Sequence, residues 1–330
     1  MSKMNVYGIG NALVDYEFKV SDEQLSELKI DKGLMTLVDE PRQHQLLESL
    51  HQGTPTRACG GSAANTVIAV SQLGGSSFYS CKVASDETGD FYLSDLKSNG
   101  VESSLDHVKR ESGVTGKCFV MVTPDAERSM ETFLGITETL SENELVTESI
   151  KNSDYLYMEG YVVTSPTGKA AAVKARHLAE ESGVKTAITF SDPNMVEFFK
   201  DGLKEMIGNK VDLLFCNEAE ALKYAETESL DEAIAKIKEV AKSFTITLGK
   251  KGSMVFDGNE EVYVDGFPAE AVDSNGAGDL YAGTFLYGIT NGKSFSESAR
   301  LANYASSLLV QQFGPRLNAE NLEKLNSFKS

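Results

Sequence analysis

The sequence predicts an α/β protein: a mainly parallel central sheet with helices on both faces, plus a small β lid standing off it. Three observations carry that expectation. Apolar strand-like runs alternate with amphipathic helical stretches, a glycine-rich turn leads straight into an apolar helix near the C-terminus, and two segments break the alternation. At 330 residues the chain can bury a large core.

Residues 5–9 read as the first strand, with no basic-then-apolar leader before them. No apolar run is long enough to span a bilayer, and a cytoplasmic protein is expected. Residues 12–38 fit the layered pattern poorly. After them, Cys59, Gly60, Gly61 and Ser62 precede a helical run at 67–73, with Ser62 as its N-cap and Gly74-Gly75 at its end. Residues 113–136 break the pattern again, with β-like pieces at 117–122 and 130–134 flanking Pro124-Asp125. Segments 12–38 and 113–136 read either as an accessory sheet covering a site or as edge strands or surface hairpins of the main domain. With the first reading, 1–11, 39–112 and 137–330 form the α/β core.

The C-terminal half shows the alternation most clearly. Strand-like runs at 154–159 and 186–190 flank a helical stretch at 168–182; runs at 211–215 and 244–248 flank another that extends through 241. That is βαβαβ in order. Short runs at 253–256 and 261–264, separated by Asp257-Gly258-Asn259, read as a hairpin that adds an antiparallel edge. Helices from about 278 and about 296 close the chain, and Gly314-Pro315 interrupts them.

A formal charge of -18 argues against a nucleic-acid polymer or an anionic membrane as partner, since such binders present clustered Lys and Arg. A small anion held by backbone amides and one cation remains compatible. The four cysteines form no CxxC pair and the four histidines no metal-binding spacing, so reduced structural thiols are expected.

Asp273-Ser274-Asn275-Gly276-Ala277-Gly278-Asp279 runs directly into the apolar stretch from Leu280. Gly276 and Gly278 permit a tight turn with converging N–H groups, and a helix starting there faces the turn with its N-terminus. Such a turn holds an anion. Asp279, at its last step, is placed to accept a proton from a hydroxyl attacking a bound phosphoryl group. The same residues also read as an ordinary helix entry with Asp in the first turn.

Four more elements admit a ligand or a plain structural reading. Gly60 and Gly61 let backbone approach a ligand, and Asn65 can offer its amide to a hydroxyl, or the segment is simply a capped helix. Asn11 and Asp15 follow the first strand, where an open α/β sheet presents its carboxyl edge; they either grip sugar hydroxyls or form a solvated loop. Asn217-Glu218-Ala219-Glu220 opens a helix after a buried-looking strand, with carboxylates that serve the helix dipole or hold Mg²⁺ through its waters. Thr247-Leu248-Gly249-Lys250-Lys251-Gly252 seats a nucleotide by backbone contact or makes a turn.

Together these motifs resemble the ribokinase-like (PfkB) carbohydrate and nucleoside kinases over nearly the whole chain. The Asp273 to Asp279 element is the specific one; the others are individually weak. The resemblance implies a catalytic base at Asp279, with Asn275, Gly276, Ala277 and Gly278 as the anion hole. It implies Asn217 and Glu220 supporting Mg²⁺ and its waters, and Asn11, Asp15, Gly60, Gly61 and Asn65 binding the acceptor. Thr247, Gly249, Gly252, Asn303 and Ser306 would line the ATP side, and Asp273 would hold a monovalent cation, K⁺. Relatives exist as monomers and as dimers joined through their lids.

Gly10-Asn11-Ala12-Leu13-Val14-Asp15 is more similar to adenosine kinases than to sugar-acid or fructose kinases, which often carry Glu in place of Asn11. A purine needs an apolar floor, which Leu13, Tyr16, Phe133 and Leu134 would supply unless they are packing residues. The leading expectation is γ-phosphoryl transfer from ATP to the 5′-hydroxyl of a purine nucleoside, with a free sugar or sugar acid as the alternative acceptor. A non-catalytic nucleotide or nucleoside sensor is the competing class, against which an intact Asp279 counts. A dinucleotide-binding oxidoreductase is a third, but Leu13 stands where its fingerprint needs a third glycine.

Overall fold

Five of the six residues from Met4 to Ile9 are buried, alternating between two apolar clusters: Val6 joins one, Tyr7 and Ile9 the other. A strand covered on both faces belongs in the middle of a parallel sheet. The computed structural model describes residues 3–33, 35–50, 56–125 and 127–329. Positions 1–2, 51–55 and 330 of the expected core and 34 and 126 of the expected lid lie outside the described residues.

The strands, in chain order, are β1 (Met4–Ile9), β2 (Leu13–Lys19), β3 (Met35–Leu37), β4 (Thr56–Gly60), β5 (Ser77–Ser80), β6 (Val101–Ser103) and β7 (Thr115–Val122). They continue with β8 (Arg128–Gly135), β9 (Ser153–Met158), β10 (Lys185–Thr189), β11 (Val211–Asn217), β12 (Ala241–Thr247), β13 (Gly252–Phe256) and β14 (Glu261–Asp265). Among the described residues the main sheet runs β14-β13-β12-β11-β10-β9-β1-β5-β6. From β12 to β6 every pairing is parallel, and β13 and β14 add the antiparallel edge. Asp257 makes the hairpin turn by accepting hydrogen bonds from the N–H groups of Asn259 (2.8 Å) and Glu260 (3.0 Å).

Helices Ser62–Gln72, Ala277–Thr290 and Phe295–Leu309 contribute Val67, Ile68, Phe285 and Ala302 to the cluster on one face. Pro166–Glu181, Pro193–Ile207, Glu218–Ala225 and Leu230–Ile237 contribute Ala171, Leu203, Ala221 and Ile234 to the other. Two expectations need correction here. The stretch expected to be helical through 241 is two helices: Glu226 ends the first in a left-handed conformation (φ 56°), and the Ser229 side chain caps the second. Ala241 then opens β12, paired with Val211. Pro193–Ile207 was not expected as a helix; the Asp192 side chain caps it and Pro193 occupies its first turn.

The second sheet has the order β3-β8-β7-β2-β4. Its strand β4 falls within the segment 39–112 that the sequence assigns to the core, because Thr56–Gly60 pairs antiparallel with β2 instead of joining the main sheet. Period-two alternation gives this sheet two unlike faces. Leu13, Asp15, Cys118, Val120, Met130, Thr132 and Leu134 face a cavity over the main sheet. Val14, Tyr16, Phe18, Phe119 and Met121 face away into a cluster with Leu25, Leu46 and Leu50 of the segment between β2 and β4.

Phe285 is wholly buried, with edge-on contacts to Phe215 of β11 and Phe295 of the next helix. Phe285→Ala should therefore lower stability by ~3–5 kcal/mol in equilibrium urea unfolding. A loss under ~1 kcal/mol would mean that this helix is not anchored through Phe285.

Candidate active site

Two helix N-termini meet at one carboxylate. The helix Ala277–Thr290 lies against Ser62–Gln72 so closely that a Cβ on Gly283 would sit 2.3 Å from the carbonyl oxygen of Thr66. That approach puts Asp279, in the first turn of one helix, beside the first turn of the other. Ser62 Oγ donates to Asp279 Oδ1 (2.6 Å) and Asn65 Nδ2 donates to Oδ2 (3.0 Å). Ser62 is thus not the N-cap expected of it: Gly61 holds that position, and the hydroxyl is committed to Asp279. Burial pushes the Asp279 carboxyl above its ordinary range, while the Ser62 and Asn65 hydrogen bonds pull the other way.

The turn before Asp279 is fixed from both sides. Gly276 adopts a left-handed conformation (φ 73°), and a side chain there would meet Pro315 at 2.7 Å. Asp273 Oδ1 accepts from the N–H of Asn275 (2.9 Å), and Ser306 Oγ donates to the carbonyl of Ala277 (3.0 Å). Asn275, Gly276, Gly278 and Asp279 line the cavity. Ala277 does not, and its N–H donates to Ser274 O (3.2 Å), so it is not available to an anion.

Most of the residues expected at the site do converge. Asn11, Asp15, Gly61, Asn65, Asn217, Glu220 and Thr247 line one cavity of about 410 Å³ with Asp279. Gly60 lies under the Asp15 carboxylate and does not itself line the cavity. Phe133 and Tyr16 are corrected: on β8 and β2 they alternate with Thr132, Leu134 and Asp15, so they belong to the opposite face of the sheet. The apolar wall is instead Leu13, Met35, Leu37, Val120, Met130 and Leu134.

On the expected nucleotide side, Gly249 sits in a turn open to solvent and Gly252 opens β13; neither lines the cavity. Asn303 is also away from it, because its Nδ2 donates to the carbonyls of Val264 (3.0 Å) and Asp265 (3.2 Å) and so anchors the sheet edge. Ser306 is tied to Ala277 as described. Glu220 caps its own helix: its carboxylate accepts from Asn217 N (3.1 Å) and Nδ2 (2.7 Å), while its N–H donates to Asn217 Oδ1 (2.8 Å). Asp273 does not fit a K⁺ ion, since its buried carboxylate already pairs with the guanidinium of Arg128 and accepts from Gly314 N (2.8 Å).

Three functional side chains escaped the sequence reading. Glu159, just past β9, is buried and accepts from the N–H groups of Ala63 (2.8 Å) and Asn11 (3.3 Å), joining the Asn11 loop to the helix of Asn65. Arg316 donates to Asn65 Oδ1 (3.3 Å) and Asp95 Oδ2 (2.7 Å) and also reaches the carbonyl of Cys59. Since Arg316 takes the amide oxygen of Asn65, the amide nitrogen must face Asp279. Arg128 is the third. Burial pushes the carboxyls of Asp15 and Glu220 up to about 7 and that of Glu159 to about 8. Arg316 and Arg128 oppose the shift at Asp15.

The pfkB family carbohydrate kinase model matches residues 28–322. The chain belongs to the pfkB family. Its fold is ribokinase-like, and as a pfkB kinase it is a phosphotransferase of the sugar or nucleoside type. It is 27% identical to adenosine kinase of Saccharomyces cerevisiae, over 95% of this chain and 97% of that protein. Among solved structures it superposes on adenosine kinase from Sinorhizobium meliloti with TM-score 0.90 at 35% identity, covering 99% of this chain and 100% of that one. A probable sugar kinase from Rhizobium etli matches with TM-score 0.91 at 32% identity, covering 99% of each chain.

Glu159 generates a test. Its folded pKa lies above its unfolded one, so its contribution is complete below about pH 4.5 and is lost as pH rises through about 8. Glu159→Gln cannot ionise, so its thermal midpoint should fall less than that of the wild type between about pH 6 and about pH 9. Parallel curves would show that Glu159 does not titrate in that window.

Proposed function

We propose that this pfkB kinase transfers the γ-phosphoryl group of ATP to the 5′-hydroxyl of a purine nucleoside. The observation that carries the reaction is the Asp279 carboxylate, oriented by Ser62 and Asn65 beside a glycine turn, in a cavity it shares with Asn11 and Asp15. A nucleoside is favoured over a free sugar because the smaller sheet contributes six apolar side chains to the cavity wall. The adenosine kinases among its relatives support the same choice.

In this reading Asp15 and Asn11 grip the ribose hydroxyls and Asp279 accepts the 5′-hydroxyl proton as the oxygen attacks phosphorus. First-turn amides at Gly278 and Asp279 face the transferring group, and the smaller sheet keeps water from it. Glu220 and Asn217 fit hydrated Mg²⁺, which needs few direct protein oxygens, and Glu220 is a buried carboxylate facing the cavity. Bound there, Mg²⁺ supplies positive charge to the phosphates. We propose a monomer: among the described residues the far face of the smaller sheet packs against the chain's own helical segments, which occupy the face a second copy would use.

ADP release from Mg-ATP against adenosine, inosine, guanosine, cytidine, ribose, fructose and 2-keto-3-deoxygluconate tests the proposal. Turnover should be fastest on one purine nucleoside; turnover on a free sugar alone would keep the mechanism and overturn the acceptor. ATP binding with no turnover on any acceptor would favour a sensor. Asp279→Asn should lower kcat about 10²–10⁴-fold with little change in ATP affinity. Near-wild-type turnover would remove Asp279 as the base. Asp15→Ala should raise the acceptor KM and leave ATP binding intact, and a loss of ATP binding would reverse the two halves of the site.

A further inference from the structure

We propose that Arg128 is the built-in counter-ion of Asp273, so that the turn facing the transferring group is held by a guanidinium carried on the smaller sheet and not by a monovalent cation. The proposal rests on the kinase reading for its catalytic consequence alone. Asp273 opens the turn that ends at Asp279 and is 4% exposed. One of its oxygens accepts from Asn275 N and the other from Gly314 N, so it joins the turn to the Gly314-Pro315 segment that packs on Gly276. A buried carboxylate with this role needs an opposite charge beside it.

Arg128 provides that charge from another part of the molecule. It is the first residue of β8, paired with Val122 across the smaller sheet, and its guanidinium lies 3.9 Å from Glu17 of β2 as well as on Asp273. A guanidinium does not lose its proton in a protein, so the pairing holds at any working pH. A K⁺ ion at the same carboxylate would face a like charge and compete for the oxygen that the guanidinium uses. The geometry also makes the turn's counter-charge depend on the position of the smaller sheet. Arg128 is thus a positioning residue, acting on the anion turn through Asp273.

The test compares wild type, Arg128→Ala and Arg128→Lys in choline chloride and in potassium chloride at equal ionic strength, reading acceptor-dependent ADP release and the thermal midpoint. Wild type and Arg128→Lys should show the same rate and midpoint in both salts. Arg128→Ala should lose about 10²-fold in kcat in choline, the usual cost of misplacing a site by ~1 Å. Potassium should restore part of that rate and raise the midpoint of this variant alone. A wild-type rate or midpoint that rises severalfold with potassium overturns the proposal, as does an Arg128→Ala protein indifferent to the salt. If Arg128→Ala does not fold, the wild-type and Arg128→Lys salt responses decide. If no acceptor is turned over, the kinase reading fails while the midpoints still judge the counter-ion.

Discussion

The close approach of the helices Ser62–Gln72 and Ala277–Thr290 is the constraint on which the rest of the site depends. Ala69 and the Thr66 backbone on one side and Gly283 on the other let two helix backbones touch, and both N-termini then point at the same space. A larger residue at Gly283 would separate Ser62 and Asn65 from Asp279 by more than a hydrogen bond tolerates. The parallel sheet sets the direction: its strands end under the cavity, so Asn11 and Glu159, just past β1 and β9, and Asn217, the last residue of β11, come to one edge.

That arrangement gathers Asp15, Glu159, Glu220 and Asp279 around one cavity, each pushed toward its protonated form by burial. The protein balances them unequally. Asp15 has two guanidinium groups near it, Asp279 has a hydroxyl and an amide, and Glu159 has two backbone N–H groups. Glu220 has its capping partner Asn217 and two acidic neighbours, Asp192 and Asp279. Unlike environments for neighbouring carboxyls are how a fold separates proton acceptors from residues that only bind.

Much of this was legible before any coordinates. The strands β9 to β12 are legible because each has an apolar centre, such as Leu213-Leu214-Phe215, between helical stretches, and the β13–β14 hairpin because Asp257-Gly258-Asn259 is turn chemistry. The turn at Gly276 is legible because its left-handed backbone (φ 73°) and the packing of Pro315 favour glycine, whereas Gly278 lies in the first helical turn with open space beside it. What failed was pairing between distant segments. Nothing local in Thr56–Gly60 says that it joins β2, and nothing in Phe133 says which face of β8 it takes, since a one-residue shift in register reverses the answer. Glu159, Arg128 and Arg316 were invisible for the same reason: each acts on a residue at least ninety-six positions away. The helix Pro193–Ile207 is different, since Asp192-Pro193 is a local start signal within the sequence itself.

In the proposed reaction one carboxylate at the meeting of two helix N-termini receives the acceptor's proton. A crystal structure with adenosine and a non-hydrolysable ATP analogue tests it most directly. The account predicts the 5′-oxygen within hydrogen-bonding distance of Asp279, between that carboxylate and the γ-phosphorus, with the ribose hydroxyls on Asp15 and Asn11. An acceptor seated with no hydroxyl near Asp279, or with its base where the ribose is placed here, would contradict it.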